Sequence, residues 1–226
     1  MDNTSLQDTL IRSRVTILDL LEGRGYDTTP YRKMIGGELV KLINSPEALR
    51  ITVKSKADPS KSAIVEYETG NIKQSVGTGA YVKNLIGDDS GKGPSVLQRV
   101  DPKTTEVMVI FMTKKDNSSD DMESFNKGAF EAWTKHGLRI QFFLMVRLVN
   151  NPLKHVLQPK FEVVPNEQHE ALMKELCIKT KAQLPVIRFH DDPAGRCLGL
   201  VPLDIVKITR ASPTAGEYVE YRVCAP

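Results

Sequence analysis

Residues 191 to 223 read DDPAGRCLGLVPLDIVKITRASPTAGEYVEYRV, and this stretch decides how the chain is interpreted. Two of its runs, Ile205 to Arg210 and Tyr218 to Val223, alternate in the period-2 manner of strands, with Pro213-Thr-Ala-Gly216 between them. The pattern predicts a β-hairpin, because Pro213 presets φ at the bend and Gly216 accepts a positive φ where the chain reverses. Asp192 and Arg196 stand four apart, the spacing of an ion pair across one helical turn. Arg210 and Arg222 fall on neighbouring strands, where the plainest role is a solvated edge charge worth little to stability.

Upstream, His155-x-Leu157-x-Pro159 and Leu184-Pro185-x-Ile187 precede the Asp-Pro pair. Pro165 opens a short helix with Leu172 and Leu176 on one face, and Val186 to Phe189 reads as a strand. The break Val149-Asn-Asn-Pro152 interrupts the apolar pattern with turn residues and predicts a domain boundary, giving domains 1–148 and 152–226. The C-terminal core is expected from Leu172, Leu176, Ile187, Val206, Ile208, Val219 and Val223. His155 is expected to order its turn by hydrogen bonding.

Before the break the pattern is α/β. Ile11, Val15, Leu18 and Leu21 recur at helical spacing from about Thr4 to Glu22, and Pro30 sits in the first turn of a second helix. Ile51 to Lys56 and Ala63 to Tyr67 are short strands around a turn at Asp58-Pro59-Ser60. Val107 to Met112 is continuously apolar, as in a strand buried on both faces. Asp120 and Glu123 form a capping box before a helix carrying Phe125, Ala129 and Trp133. Ile140 to Val149 is again a strand, so strand, crossover helix and strand make a βαβ unit.

The chain has 226 residues and a formal charge of +3, of which residues 151–226 contribute +1 and the first 150 contribute +2. Neither half is basic enough to hold duplex DNA unaided. No apolar run reaches the ~18 residues of a membrane span, and the N-terminus carries no secretory apolar segment, so no membrane association is expected. Three widely spaced cysteines without a CxxC fit a reducing compartment and packing as small apolar groups.

Motifs for ligand chemistry are broken. Gly77-Thr-Gly-Ala-Tyr-Val82 has Val82 at the third glycine of a dinucleotide fingerprint. Gly87 to Gly93 is one residue short of a phosphate loop, with Gly93 in place of the hydroxyl. The four histidines lack metal-ligand spacing, so no metal and no cofactor are expected.

The order Asp192-Pro193, Arg196, Gly199, Val206-Lys-Ile208, Arg210, Ser212, Thr214-Ala-Gly216 and Tyr221-Arg222 resembles the C-terminal signature of one family. That family is the small subunit shared by the eukaryotic nuclear RNA polymerases, which has a shorter archaeal RNA polymerase relative. Arg14-Val-Thr-Ile-Leu18 and Arg24-Gly-Tyr26 resemble the opening of its longer eukaryotic members, while residues 27–105 match little. The resemblance implies a two-domain fold: an α/β N-terminal jaw, restriction-endonuclease-like but inactive, and a small α+β assembly domain. It implies a non-catalytic subunit, in the nucleus or, if specific to RNA polymerase I, the nucleolus. The assembly domain would dock on the largest subunit, in one copy per complex, with the jaw beside downstream duplex DNA.

The partner-binding residues it implies are Asp192, Arg196, Arg210, Ser212, Thr214, Gly216 and Arg222. Lys114, Lys115, Asn117 and Ser118 fall where the family places a short DNA-proximal segment that this sequence lacks. Cys197 stands where an aromatic is common, Val186 where Arg is usual, and Val201-Pro-Leu203 replaces a basic, glycine-containing turn. These departures point to a specialised paralogue or a viral homologue. Two alternatives are a free-standing interaction adaptor and a metal-dependent nuclease using Asp58, Glu66 and Glu68. The nuclease reading lacks its lysine, since Gly70 stands two after Glu68, and solvated strand-face acids explain these residues better.

Overall fold

A computed structural model describes residues 3–33, 45–68, 86–87, 96–112, 120–214 and 216–226. The chain is mixed α/β and divides into two compact units, Met1–Asn150 and Asn151–Pro226. Each contains one four-stranded sheet among the described residues.

In the first unit, α1 (Asn3–Gly23) precedes a single turn, α2 (Thr29–Arg32), with Pro30 in its first positions. The sheet runs β1 (Ile51–Lys54), β2 (Ser62–Glu68), β3 (Thr105–Phe111) and β4 (Ile140–Leu144) in that spatial order. β1 and β2 pair antiparallel around the Asp58 turn; β2, β3 and β4 are parallel. A short turn, α3 (Val96–Arg99), precedes β3, and α4 (Asp120–His136) is the crossover between β3 and β4. Every residue of β3 is buried, as expected of a central strand covered on both faces. Phe125 of α4 packs on Phe111 and Phe142, with ring centroids 4.8 and 5.1 Å apart, and closes one face. On the other face Arg24, just after α1, reaches Glu106 of β3 and Gln141 of β4.

Two expectations for this unit are corrected. α1 buries only part of the Ile11–Val15–Leu18–Leu21 stripe: Leu18 and Leu21 are buried, Val15 is half exposed, and Leu10, Arg14 and Ile17 also face inward. Arg14 belongs there because Nη1 donates to the Leu49 carbonyl at 2.8 Å and its guanidinium lies 5.9 Å from the Tyr31 ring centroid. The last strand ends at Leu144, and Met145–Leu148 coils into a 3₁₀ turn that buries Met145 and Leu148.

The second unit begins with a 3₁₀ turn, Pro152–Lys154, capped by the Asn151 side chain. The His155 side chain orders the turn that follows it, its Nδ1 accepting from the Leu157 N–H at 3.2 Å. The sheet runs β5 (Lys160–Val164), β7 (Ile205–Ser212), β8 (Gly216–Ala225) and β6 (Val186–Arg188). The hairpin β7–β8 forms as expected, with Ser212 opposite Gly216 and Gly216 at φ +73°. β5 adds antiparallel to β7, and β6 adds parallel to β8.

α5 (His169–Glu175) lies over one face, where Leu172 and Leu184 pack with Ile205 and Val223. α6 (Pro193–Leu198) covers the other face, and Gly195 lies close against Ile187 and Leu200. β5 and α6 are additions that the sequence pattern did not show. Leu176 and Val219 lie outside the core at 37 and 40 % exposure; Leu184, Leu200, Ile205 and Cys224 are buried instead. Cys197 and Cys224 pack as expected, whereas Cys177 is exposed.

Candidate functional site

The predicted residues of the second unit divide between the two ends of the hairpin. At its base, Asp192 and Arg196 serve α6. Asp192 is the N-cap, its Oδ1 accepting from the Gly195 N–H at 2.9 Å, and Gly199 closes the helix at φ +70°. Arg196 donates to the carbonyl oxygen of His190, a residue itself at φ +60°. The signature DPAGRCLG is therefore a capped helix packed on the sheet, and the reading of Asp192 and Arg196 as simply an ion pair is replaced by these backbone contacts.

At the far end lie Arg210, Ser212, Thr214 and Gly216. The tip pair Ser212–Gly216 is seven residues along β7 from the base pair Ile205–Val223, about 23 Å at strand rise. Ser212 Oγ and Thr214 Oγ1 lie 3.4 Å apart in the tip. Arg210 and Arg222 share a face of the sheet and are joined by Glu220, which the sequence reading missed. Its Oε1 is 2.6 Å from Arg222 Nε and its Oε2 3.7 Å from Arg210 Nη2. Glu220 lies opposite Ile208 and two residues from Arg222, so pairing register alone marks it as a neighbour of both cations.

A second missed cluster fixes the α5 side. Lys181 Nζ lies 2.7 Å from His169 Nδ1 and 2.9 Å from the Leu203 carbonyl. An ammonium has only donors, so Nδ1 accepts and His169 Nε2–H donates to the Val164 carbonyl at 3.0 Å. Leu203 is 64 % exposed and sits at φ +76°.

In the first unit, of the carboxylates weighed for metal chemistry, Glu66 and Glu68 share a face of β2 and Asp58 lies outside the strand. Asp58 lies in the turn before β2, its Oδ1 accepting from Ser60 N–H and Oγ. Those bonds hold its pKa below the ordinary carboxylate value. Glu66 lies four residues into β2, about 13 Å along the strand from Ser62, clasped by Arg99 at 2.8 Å and Arg50 at 3.6 Å. Two guanidinium groups already neutralise it, so it offers no open coordination site. Among the described residues no three His, Cys, Asp or Glu side chains converge to hold a metal ion, and no helix is long and apolar enough to cross a membrane. Lys114, Lys115, Asn117 and Ser118 lie outside the described residues, as do residues 77–82, residues 88–93 and the Asp120 side chain.

A family model described as "RNA polymerase Rpb5, C-terminal domain" matches residues 150–224. The chain is 49 % identical over 73 residues to the DNA-directed RNA polymerase subunit Rpo5 of Pyrococcus horikoshii, covering 32 % of this chain and 87 % of that protein. It is 54 % identical over 69 residues to Rpo5 of Archaeoglobus fulgidus, covering 30 % of this chain and 88 % of that one. It is 26 % identical over 221 residues to the DNA-directed RNA polymerase V subunit 5C of Arabidopsis thaliana, covering 93 and 81 %. Capped helix, hairpin and matches together define a small non-catalytic subunit of a DNA-directed RNA polymerase. The chain belongs to the Rpb5 family, whose archaeal members are named Rpo5.

Proposed function

We propose that the second unit, residues 152–226, docks this subunit on the largest subunit of a nuclear RNA polymerase, while residues 1–148 act as a jaw beside downstream DNA. The observation that carries the reading is where the similarity falls. The family model covers residues 150–224, nearly the whole of one compact unit and none of the other's core. A match of 73 residues spans 87 % of an archaeal relative, so a chain of about this unit's length serves as a polymerase subunit there. The Arabidopsis relative supports a nuclear setting and the longer form.

Docking contacts are assigned to the far end of the hairpin and its arginine face: Arg210, Ser212, Thr214, Gly216 and Arg222. Asp192 and Arg196 act indirectly, by holding α6 on the sheet. With +2 and +1 on its two parts, the free chain meets DNA weakly, with a non-specific Kd no tighter than ~10⁻⁴ to 10⁻⁶ M, and approaches it only as part of the assembled enzyme. Co-precipitation of the largest subunit with tagged fragments 1–148 and 152–226 tests the division of labour. The C-terminal fragment is expected to retain the polymerase; retention by the N-terminal fragment alone overturns it.

A further inference from the structure

A recess of about 390 Å³ opens in the first unit at the N-terminal ends of β3 and β4. It falls within the usual size of small-ligand pockets, and a DNA duplex cannot enter it. Lys61, Lys103 and Arg139 line it, with Trp133 of α4, Tyr26 and Glu106. Arg139 lies over the Trp133 ring, its guanidinium carbon 5.8 Å from the centroid, which steadies a flexible cation in one place.

The carboxylates in and around the recess already have partners. Glu106 is buried against Arg24 at 3.0 Å and accepts from Tyr26, whose phenol pKa is raised by burial and by that carboxylate. Asp58 is taken by Ser60, and Asp101 accepts from the Lys103 N–H at 3.0 Å. Lys61 stays 62 % exposed and only loosely paired, 3.8 Å from Asp58, and Lys103 is exposed as well. Two ammonium groups and a guanidinium thus line one concave wall; its own carboxylate, Glu106, is ion-paired with Arg24, while Asp58 and Asp101 keep their charge and are turned to Ser60 and to the Lys103 N–H.

We propose that this recess binds a phosphate monoester. A group carrying about two negative charges and three acceptor oxygens matches three cations lining one recess better than a single carboxylate does. Two sources carry it, a free nucleoside monophosphate or a phosphorylated side chain of a partner protein, and the recess is large enough for either. The site lies in the first unit, and the docking proposed for residues 152–226 neither requires it nor predicts it.

Trp133 is the only tryptophan of the chain, so intrinsic fluorescence reports on this recess. The full-length chain is titrated at low ionic strength with inorganic phosphate, AMP, a phosphoserine peptide and its unphosphorylated twin, with calorimetry in parallel. The three phosphate probes are expected to saturate and the unphosphorylated peptide not to. Tighter AMP binding selects the nucleotide source, tighter phosphopeptide binding selects the side chain, and equal binding assigns recognition to the phosphate alone. The double variant Lys61→Ala/Lys103→Ala is expected to lose at least about tenfold in affinity with its melting unchanged. Lys127→Ala/Lys160→Ala, which removes two exposed lysines elsewhere, is expected to bind as wild type. Absence of any saturable response up to about 10 mM, or a response that Lys61→Ala/Lys103→Ala leaves intact, overturns the proposal.

Discussion

Arg210 and Arg222, on opposite strands of the C-terminal hairpin, share one counter-ion: Glu220 lies 2.6 Å from Arg222 Nε and 3.7 Å from Arg210 Nη2. The arrangement holds both guanidinium groups on one face of the sheet while Arg210 stays half exposed. A cation so placed contributes little to folding and remains available to a partner.

Arg210→Ala is therefore expected to leave the thermal midpoint nearly unchanged, costing under ~0.5 kcal/mol. Loss of one member of a desolvated interfacial charge pair costs ~2–5 kcal/mol, so co-precipitation of the largest subunit is expected to fall sharply. Equal losses of stability and docking would remove Arg210 from the interface.

Glu106 and Arg24 are both buried, with side-chain exposures of 5 and 8 %. Removing one member of a buried pair leaves the other charge uncompensated. Glu106→Ala is expected to destabilise the first unit by ~3–5 kcal/mol, read from urea unfolding of the full chain. Replacing both by apolar residues of similar size is expected to recover much of that loss.

Glu66 is held by two arginines, and its replacement is a test of structure and not of chemistry. Glu66→Ala is expected to lower stability by ~1–3 kcal/mol, since Arg50 and Arg99 lose their shared acceptor. Wild type and variant alike are expected to leave duplex DNA uncut with Mg²⁺ or Mn²⁺. Cleavage by wild type that the variant loses would restore the nuclease reading.

Leu203 holds a positive φ with most of its side chain in solvent. The left-handed conformation costs a branched residue roughly 1–2 kcal/mol, while glycine pays ~0.5–1 in extra chain entropy. Leu203→Gly is expected to be stabilising by up to about 1 kcal/mol in thermal melts.

Alkaline pH is expected to weaken the fold. Burial, with Asp204 and Asp192 nearby, pushes the Cys224 thiol from an ordinary value of 9.0 up to about 12; burial also raises Tyr67 and Tyr26. In each case the folded state keeps a proton that the unfolded chain releases first. Stability is therefore full below pH 9 and lost as pH climbs toward 12, by up to about 1.4 kcal/mol per pH unit per group. Denaturant midpoints from pH 8 to 11 read the slope, and Cys224→Ala is expected to flatten it. In native alkylation at pH 8, exposed Cys177 is expected to react while Cys197 and Cys224 do not.

Local sequence was enough for the elements whose cause is local. Gly216 at a chain reversal, the apolar run of β3 and the spacing of α4 specify hairpin, buried strand and crossover helix, because turn chemistry and side-chain period act over a few residues. The order of residues around Asp192 and Arg210 was enough for the family. The inward face of α1 was only partly within reach of local reasoning, which found Leu18 and Leu21 but not Arg14. Helical period admits several stripes, and Arg14 enters the core while Val15 stays out where Leu49, thirty-five residues away, presents a carbonyl to its guanidinium and Tyr31 its ring. Glu220 joins Arg210 to Arg222 through strand register, and the recess gathers Tyr26, Lys61, Lys103, Trp133 and Arg139 from separate segments. A charge's partner, and so its worth, depends on which distant groups the fold brings within a few ångströms, and tertiary structure alone decides that.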